Sequence, residues 1–208
     1  MSVRVKICGI TSVRDAEAVQ SEGADAIGLV LYEKSPRYVD LPQAGEIRSV
    51  IGPFSKSVAL LVNPEKGFVQ RVIDELKPDL LQFHGDETAD FCEQFDFPYI
   101  RAIRMHKDLD IAATTRAYDS ARGFLFDAWN SRSYGGTGEC FNWKRLPVEP
   151  DFPLILAGGL TPDNAAEAAS MVKPYALDVS SGVESSPGVK DLGKVRAFIS
   201  AAKHSADK

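Results

Sequence analysis

A thiol and a carboxyl group lie at the ends of two short apolar runs in this sequence. Cys8 comes directly after the run Val3–Ile7, and Asp127 ends the run Gly123–Asp127. A thiolate can remove a proton and a carboxyl group can donate one, if both face one substrate. Lys6, two residues before Cys8, would place a positive charge on the same face of a strand. Cys8 and Asp127 are therefore a candidate base and acid, although small buried cysteines and structural carboxylates also occur at such positions.

Glycine and serine residues follow two later apolar runs and are suited to binding a phosphate group. Gly158 and Gly159 follow one run, and Ser180, Ser181 and Gly182 follow the next. Glycine lets backbone N–H groups approach an anion closely, and the loops after the last two strands of α/β barrels often bind phosphate. Tight turns alone would also explain these residues, but their occurrence in two adjacent loops favours an anion site.

Three further segments carry polar or glycine residues after apolar runs. Arg37 follows the second run, where its guanidinium could bind a carboxylate through two hydrogen bonds or simply lie at the surface. His84 follows the fourth run and, as a lone histidine, fits an orienting or packing role better than a catalytic one. Gly136, Thr137 and Gly138 form a glycine-rich segment after the sixth run.

The elements that must position these residues alternate regularly along the chain. Short apolar runs that are typical of strands buried on both faces alternate with helical patterns, which predicts either a (β/α)8 TIM barrel or a doubly wound sheet. Eight runs favour the barrel, as a single domain over residues 1–208, with the polar segments at its C-terminal rim. The runs are Val3–Ile7, Asp25–Leu31, Ser57–Val62, Leu80–Phe83, Tyr99–Arg104, Gly123–Asp127, Leu154–Ala157 and Ala176–Val179.

Helical patterns fill most of the segments between the runs. Thr11 or Ser12 is a candidate N-cap for the first helix, and Pro162 is expected at the first helical position of a later one. The loops that begin at Lys77 and Lys173 look like plain turns at the opposite end of the barrel. The predicted helices are Val13–Glu22, Glu65–Leu76, Thr88–Gln94, Asp163–Val172 and Val189–Ala202, with a short one near Trp143–Leu146.

Composition limits the class of protein. The chain has 208 residues, 44% of them hydrophobic, and a formal net charge of −5, which argues against nucleic acid or an anionic membrane as the main partner. We find no signal peptide and no apolar run long enough to span a membrane. The cysteines Cys8, Cys92 and Cys140 are odd in number and far apart, which fits a reducing cytoplasm, with neither disulfides nor a metal site.

Seven segments occur in the order, and at the strand ends, that are typical of one enzyme family. The sequence resembles phosphoribosylanthranilate isomerase of tryptophan biosynthesis along nearly its whole length, and a trailing PGVKD at 187–191 agrees with this. Each motif alone is weak, whereas seven in register are highly specific. They are KICGIT at 6–11, GLVLYEKSPRYV at 28–39, LLQFHGDE at 80–87, LFDA at 125–128, GGTG at 135–138, LAGGLTPDN at 156–164 and DVSSGVE at 178–184.

The resemblance implies a cofactor-free Amadori rearrangement of a phosphorylated aminoaldose, by a monomer or a homodimer. N-(5-phosphoribosyl)anthranilate would become 1-(2-carboxyphenylamino)-1-deoxyribulose 5-phosphate. By analogy with the family, Asp127 is the general acid, Cys8 is the general base, and Arg37 holds the anthranilate carboxylate. Gly136 to Gly138 would belong to a loop that covers the substrate. The implied substrate-binding residues are Arg37, His84, Gly136, Thr137, Gly138, Gly158, Gly159, Ser180, Ser181 and Gly182.

The sequence also departs from the family pattern, and two other functions remain open. Asn142 replaces the usual aspartate, and Glu139 and Cys140 replace a basic or small polar pair, which puts the conformation of this loop in doubt. The related histidine-pathway isomerase typically has aspartates at both catalytic positions. The cysteine at position 8 therefore favours the anthranilate substrate. A catalytically silent phosphate-binding barrel would have no chemical need for both Cys8 and Asp127.

Overall fold

Eight parallel strands close into a barrel in the computed structural model, which describes residues 3–128 and 141–204. Each strand pairs with its sequence neighbours and β1 pairs with β8, so the barrel is confirmed and the doubly wound sheet is excluded. All eight predicted runs contain a strand. The strands are β1 (Arg4–Cys8), β2 (Ala26–Val30), β3 (Lys56–Leu61), β4 (Leu80–Phe83), β5 (Tyr99–Met105), β6 (Phe124–Ala128), β7 (Leu154–Leu156) and β8 (Ala176–Val179).

Helices connect the strands around the outside of the barrel. The Ser12 hydroxyl accepts a hydrogen bond from the Asp15 N–H at 3.1 Å, which confirms Ser12 as the first N-cap. Lys77 and Lys173 end two helices in the left-handed conformation and are each followed by proline, so the predicted plain turns are confirmed. The helices are α1 (Val13–Ser21), α2 (Leu41–Ser49), α3 (Lys66–Arg71, continued by a π-helical turn at Val72–Leu76), α4 (Ala89–Glu93), α5 (Ile111–Arg116), α6 (Ala165–Val172) and α7 (Leu192–His204), with 3-10 turns at Trp143–Arg145 and Ser181–Val183.

Two helices were not predicted, and the reason is local. In α2, Pro42 and Gly45 interrupt the apolar spacing, although Leu41, Ala44 and Ile47 are buried on one face. In α5, a single turn and a half with two threonines is too short to show a clear period.

Two predicted helix starts are wrong. Val189–Lys190 forms a strand (β10) that pairs antiparallel with β9 (Glu184–Ser186), so the last helix begins only at Leu192. Pro162 lies in a turn before α6, which begins at Ala165. The Asn164 amide holds this turn, since its oxygen accepts the Thr161 N–H at 2.8 Å and its nitrogen donates to the Gly159 carbonyl at 2.9 Å.

The barrel interior is apolar at one end and polar at the other. Alternate residues of each strand point inward, so Leu125 and Ile155 pack with Ala176 below a layer of polar side chains. That layer lies nearer the C-terminal ends of the strands, where active sites of this fold are built. Its inward-facing members are Lys6, Cys8, Gln82, Asp127 and Asp178 on strands, with His84 directly after β4, all less than a tenth exposed.

Candidate active site

Cys8 ends β1 beside a buried ion pair. The Lys6 ammonium lies 2.9 Å from the Asp178 carboxylate of β8, because these two residues are in register on neighbouring strands. Gly28 of β2 is in register with Cys8 and leaves the space that the thiol needs. A Cβ at Gly28 would lie 2.6 Å from the Cys8 sulfur and 3.1 Å from the Lys6 nitrogen. The predicted thiol and its neighbouring cation therefore share the space that the missing side chain of Gly28 leaves.

Burial and nearby charges act in opposite directions on the thiol. Burial raises the pKa of Cys8 above its ordinary value, while Lys6 and Lys190 lower it and Asp178 raises it further. Burial also opposes the charged form of Lys6, but Asp178 and then Cys8 outweigh it and raise the pKa of Lys6. Lys6 is therefore a permanent cation at neutral pH, and the resting Cys8 is a thiol that needs local cations to ionise.

Asp127, near the end of β6, is held by a backbone hydrogen bond and lies close to His84. One carboxylate oxygen accepts the Ala128 N–H at 2.8 Å, and the other lies 3.3 Å from His84 Nε2. A Cβ at Gly158 would lie 2.9 Å from the first oxygen and 2.6 Å from the Ala128 nitrogen. Because Gly158 has no side chain and a φ of +83°, the loop after β7 can pack directly against the Asp127 carboxylate.

Gln82 lies two residues before His84 on β4 and continues this chain of contacts. The Gln82 amide nitrogen lies 2.8 Å from His84 Nδ1, and Gln82 is fully buried. The sequence analysis did not single out Gln82, although its spacing of two from His84 places both side chains on one face of the strand.

Arg37 lies at the barrel mouth within a buried charge cluster. Its Nε and one Nη each donate to the Glu184 carboxylate at 2.8 Å, and the Lys190 ammonium lies 2.8 Å from the same carboxylate. Burial works to raise the pKa of Glu184, but the hydrogen bond from Arg37 and the charge of Lys190 outweigh it and lower that pKa. Burial lowers the pKa of Lys190 in spite of Glu184. Arg37 is therefore held rigidly by one edge of its guanidinium, which is not the arrangement of a surface arginine.

Glu184 and Lys190 were also missed as site residues. They belong to the β9–β10 hairpin, of which only the second strand, Val189–Lys190, was predicted as part of a helix. Both residues lie in segments that resemble the family, DVSSGVE and PGVKD, and this could have marked them as site residues. Asp178 could have been found in the same way.

The loops after β7 and β8 pack directly on each other. Gly158 and Gly159 have positive φ angles of +83° and +63°, which confirms sharp turns at these glycines. A Cβ at Gly182 would lie 1.8 Å from the Leu160 carbonyl oxygen, so only glycine fits there. Ser180 Oγ donates to the Cys8 carbonyl at 3.0 Å and ties the second loop to β1. The predicted phosphate loops are thus neighbours of each other and of the thiol.

The remaining predicted site residues, Gly136, Thr137 and Gly138, lie outside the described residues, as do Glu139 and Cys140. Asn142 is described and caps the 3-10 turn by accepting the Lys144 N–H at 3.1 Å. An aspartate would cap this turn equally well, so the departure at Asn142 preserves the local structure.

Neither a metal cluster nor a membrane helix is found in residues 3–128 and 141–204. No group of three or more histidine, cysteine, aspartate or glutamate side chains is arranged there to hold a metal ion. The helices in these two ranges include none whose length and apolar character would let it cross a membrane.

Comparison with known proteins identifies the family. The family model described as N-(5'phosphoribosyl)anthranilate (PRA) isomerase matches residues 5–201. The N-(5'-phosphoribosyl)anthranilate isomerase of Pseudomonas aeruginosa PAO1 is 50% identical over 202 residues, which are 97% of this chain and 96% of that protein.

Solved structures agree with the sequence comparisons. Phosphoribosyl anthranilate isomerase from Thermotoga maritima is similar with a TM-score of 0.85 at 34% identity, over 97% of this chain and 99% of that one. A phosphoribosyl anthranilate isomerase in complex with reduced 1-(o-carboxyphenylamino)-1-deoxyribulose 5-phosphate gives a TM-score of 0.82 at 34% identity, with the same coverage. The chain, with its thiol and carboxyl group at one end of the barrel, belongs to the N-(5'-phosphoribosyl)anthranilate isomerase family.

Proposed function

We propose that this chain isomerises N-(5-phosphoribosyl)anthranilate to 1-(2-carboxyphenylamino)-1-deoxyribulose 5-phosphate in tryptophan biosynthesis, without a cofactor, by general acid–base catalysis. One observation carries the proposal: the Cys8 thiol on β1 and the Asp127 carboxyl group on β6 both point inward in the polar layer of the barrel. Family membership supports the substrate and the pathway.

Asp127 acts first, as the general acid. Its carboxyl group donates a proton to the furanose ring oxygen, the C1′–O bond breaks, and the anthranilate nitrogen supplies the electron pair that forms the Schiff base. The Ala128 N–H at 2.8 Å then stabilises the carboxylate that remains.

Cys8 acts second, as the general base. The thiolate removes the C2′ proton, which the neighbouring iminium has already acidified, and an enolamine forms. Tautomerisation to the ketone returns a proton to C1′ while the C2′ hydroxyl proton leaves, so the protons balance. Burial raises the pKa of the thiol, and the positive charges of Lys6 and Lys190 oppose that rise and favour the reactive thiolate.

Replacing Gly28 with alanine should lower kcat by about 100-fold, because the added methyl group displaces the thiol by about 1 Å. Without that shift, the new Cβ would lie 2.6 Å from the sulfur. Steady-state turnover measures the effect, and thermal unfolding reports any loss of stability. Gly45→Ala is the matched control, since a Cβ there has nothing within 4 Å. Full activity in Gly28→Ala would contradict the position assigned to the thiol.

Arg37 binds the anthranilate carboxylate. Glu184 holds one edge of the guanidinium, which leaves the opposite edge to meet a planar carboxylate. The hydrogen bond from Arg37 to Glu184 raises the pKa of Arg37 against the effect of burial, and an ionised Cys8 would raise that pKa by a smaller amount.

Arg37→Lys should raise KM by about 10- to 100-fold, because a charged hydrogen-bond pair contributes about 1.5–3 kcal/mol. A substrate with aniline in place of anthranilate provides the control, since it lacks the carboxylate. With this analogue, the KM of the wild type should rise by the same factor. The KM of Arg37→Lys should rise little further, so the effects of the substitution and of the missing carboxylate are not additive. Additive losses would show that Arg37 does not contact the carboxylate.

The phosphate group binds between the loops after β7 and β8. Gly158 and Gly159 belong to the first of these loops and Ser181 and Gly182 to the second, which Ser180 links to Cys8. Positive φ angles at the first two glycines turn the backbone tightly enough for close approach to an anion.

His84 faces Asp127 and belongs to the substrate pocket. Gly136, Thr137 and Gly138 stay predicted parts of a covering loop. A cytoplasmic location and a choice between monomer and homodimer also stay predictions, although a relative from Thermotoga maritima at 32% identity is described as dimeric.

The experiment that tests this function compares two aminoaldoses. Loss of the fluorescence of freshly made phosphoribosylanthranilate should follow addition of the purified chain, and the histidine-pathway aminoaldose should react with a much lower kcat/KM. A preference for the histidine-pathway substrate would support the related isomerase instead. Inactivity on both substrates would support a silent phosphate-binding barrel.

A further inference from the structure

Three inward-facing side chains form a line from β4 to β6, and the proposed mechanism uses only the last of them directly. Gln82 is 0% exposed, His84 is 4% exposed and Asp127 is 6% exposed. The Gln82 amide nitrogen lies 2.8 Å from His84 Nδ1, and His84 Nε2 lies 3.3 Å from an Asp127 carboxylate oxygen without the geometry of a hydrogen bond. Among the described residues the Gln82 amide oxygen has no hydrogen-bond partner. A buried amide in contact with a histidine that faces a catalytic carboxyl group calls for a physical explanation.

The first contact determines which ring nitrogen of His84 carries a proton. An amide NH2 group only donates hydrogen bonds, so Nδ1 of His84 must accept and therefore has no proton. The single proton of the neutral ring is then on Nε2, the nitrogen that faces Asp127. A doubly protonated ring would direct an N–H from Nδ1 against the N–H groups of Gln82, so this orientation of the amide disfavours the imidazolium.

The protonation state of His84 matters because Asp127 needs a proton to act as an acid. A histidine that could become an imidazolium would take that proton and leave a stable carboxylate–imidazolium pair. A neutral ring with its proton on Nε2 cannot accept a second proton from Asp127, because Nε2 is already occupied. It can still donate a hydrogen bond to the carboxylate that forms when Asp127 gives up its proton.

We propose that Gln82 is a positioning residue for the general acid: its amide keeps His84 neutral with the proton on Nε2, so that the catalytic proton stays on Asp127. This inference rests on the proposed function of Asp127. No bond to substrate is assigned to Gln82, which acts only through His84.

Two substitutions separate this role from simple packing. Gln82→Glu keeps the size but offers only acceptors, so it favours a proton on Nδ1 and an imidazolium between two carboxylates. Gln82→Met keeps the approximate volume and removes the hydrogen bond. A packing role predicts that both variants change stability without changing the state of His84.

The direct measurement is the ¹⁵N spectrum of the protein labelled at histidine, in which protonated and unprotonated ring nitrogens have different chemical shifts. The chain has only 3 histidines, and His84→Asn assigns the signals of interest. The wild type should show His84 with Nε2 protonated and Nδ1 unprotonated. Gln82→Glu should move the proton to Nδ1 or to both nitrogens, and Gln82→Met should give a mixture.

Turnover should change in parallel with the spectrum. We expect kcat of Gln82→Glu to fall at least about tenfold, within the ~10⁴-fold that a wrong histidine tautomer costs in a serine protease, with KM nearly unchanged. Ser57→Ala is the control: Ser57 is equally buried, but its hydroxyl bonds Asp79 at the opposite end of the barrel, so only stability should change.

Different results overturn different claims. A wild-type His84 with its proton on Nδ1 would mean that the amide presents its oxygen, and would overturn the inference. So would a Gln82→Glu variant with unchanged kcat. A wild-type protein that shows the expected tautomer but does not turn over phosphoribosylanthranilate would overturn the proposed function instead, since the spectrum does not depend on activity.

Discussion

Cys8→Ser should lower kcat by about 100- to 10 000-fold while KM and the fold are preserved, because the serine hydroxyl is a far weaker base than a thiolate. Serine fits the space above Gly28, so the variant should stay folded. Steady-state turnover and circular dichroism provide the two measurements. Cys92→Ser is the matched control, because Cys92 is buried in α4, outside the polar layer of the barrel interior. A Cys8→Ser variant with near-normal kcat would show that another group removes the C2′ proton.

The same thiol should titrate above neutral pH in the free protein. Burial raises the pKa of Cys8, so the thiolate fraction, and with it the alkylation rate by iodoacetamide, should rise as the pH increases through the alkaline range. Lys6→Met removes a nearby cation and leaves Asp178 unpaired, and both changes shift the profile to still higher pH. Cys92, with a pKa raised to about 12 by burial, should not interfere, and a Cys140→Ser background removes the third cysteine.

Asp127→Asn should lower kcat by about 100- to 10 000-fold, because an amide cannot supply the proton that opens the furanose ring. The asparagine oxygen can still accept the Ala128 N–H, so stability should change little. Asp151→Asn is the control, since that carboxylate is exposed and lies before β7, at the opposite end of the barrel. A raised KM with a normal kcat would indicate that Asp127 binds substrate without donating a proton.

Most of the fold could be predicted because a barrel repeats one simple pattern. Strands buried on both faces are almost uniformly apolar, and all eight runs proved to contain strands. The two-residue period within each run also carries information about the site. It places Lys6 with Cys8, and Gln82 with His84, on the inner face of the barrel.

One of the missed elements depends on contacts between distant segments. The β9–β10 hairpin forms where Glu184 contacts Arg37 and Lys190. No local sequence pattern predicts that buried charge cluster. Pro162 suits a helix start by local propensity, but the Asn164 side chain holds a turn there instead. At the hairpin, tertiary hydrogen bonds outweigh the local preference, whereas at Pro162 competing local hydrogen bonds do so.

The role of Cys8 shows a different limit. From the residues alone a cysteine after a strand is an ordinary buried residue, and the family resemblance was needed to make it a candidate base. The structure adds the physical reason, since Lys6 and Lys190 lower the pKa of a thiol that burial alone would leave inert. No pattern of spacing reveals that Lys190 approaches Cys8 from 182 residues further along the chain.

The central claim is that Asp127 and Cys8 catalyse two successive proton transfers, and a substrate deuterated at C2′ tests it most directly. In Cys8→Ser, removal of the C2′ proton should limit the rate, so kcat/KM should show a full primary isotope effect. In Asp127→Asn, ring opening should limit the rate before the C2′ bond breaks, so the isotope effect should be close to unity. The opposite pattern, or equal effects in both variants, would contradict the assignment of Cys8 as base and Asp127 as acid.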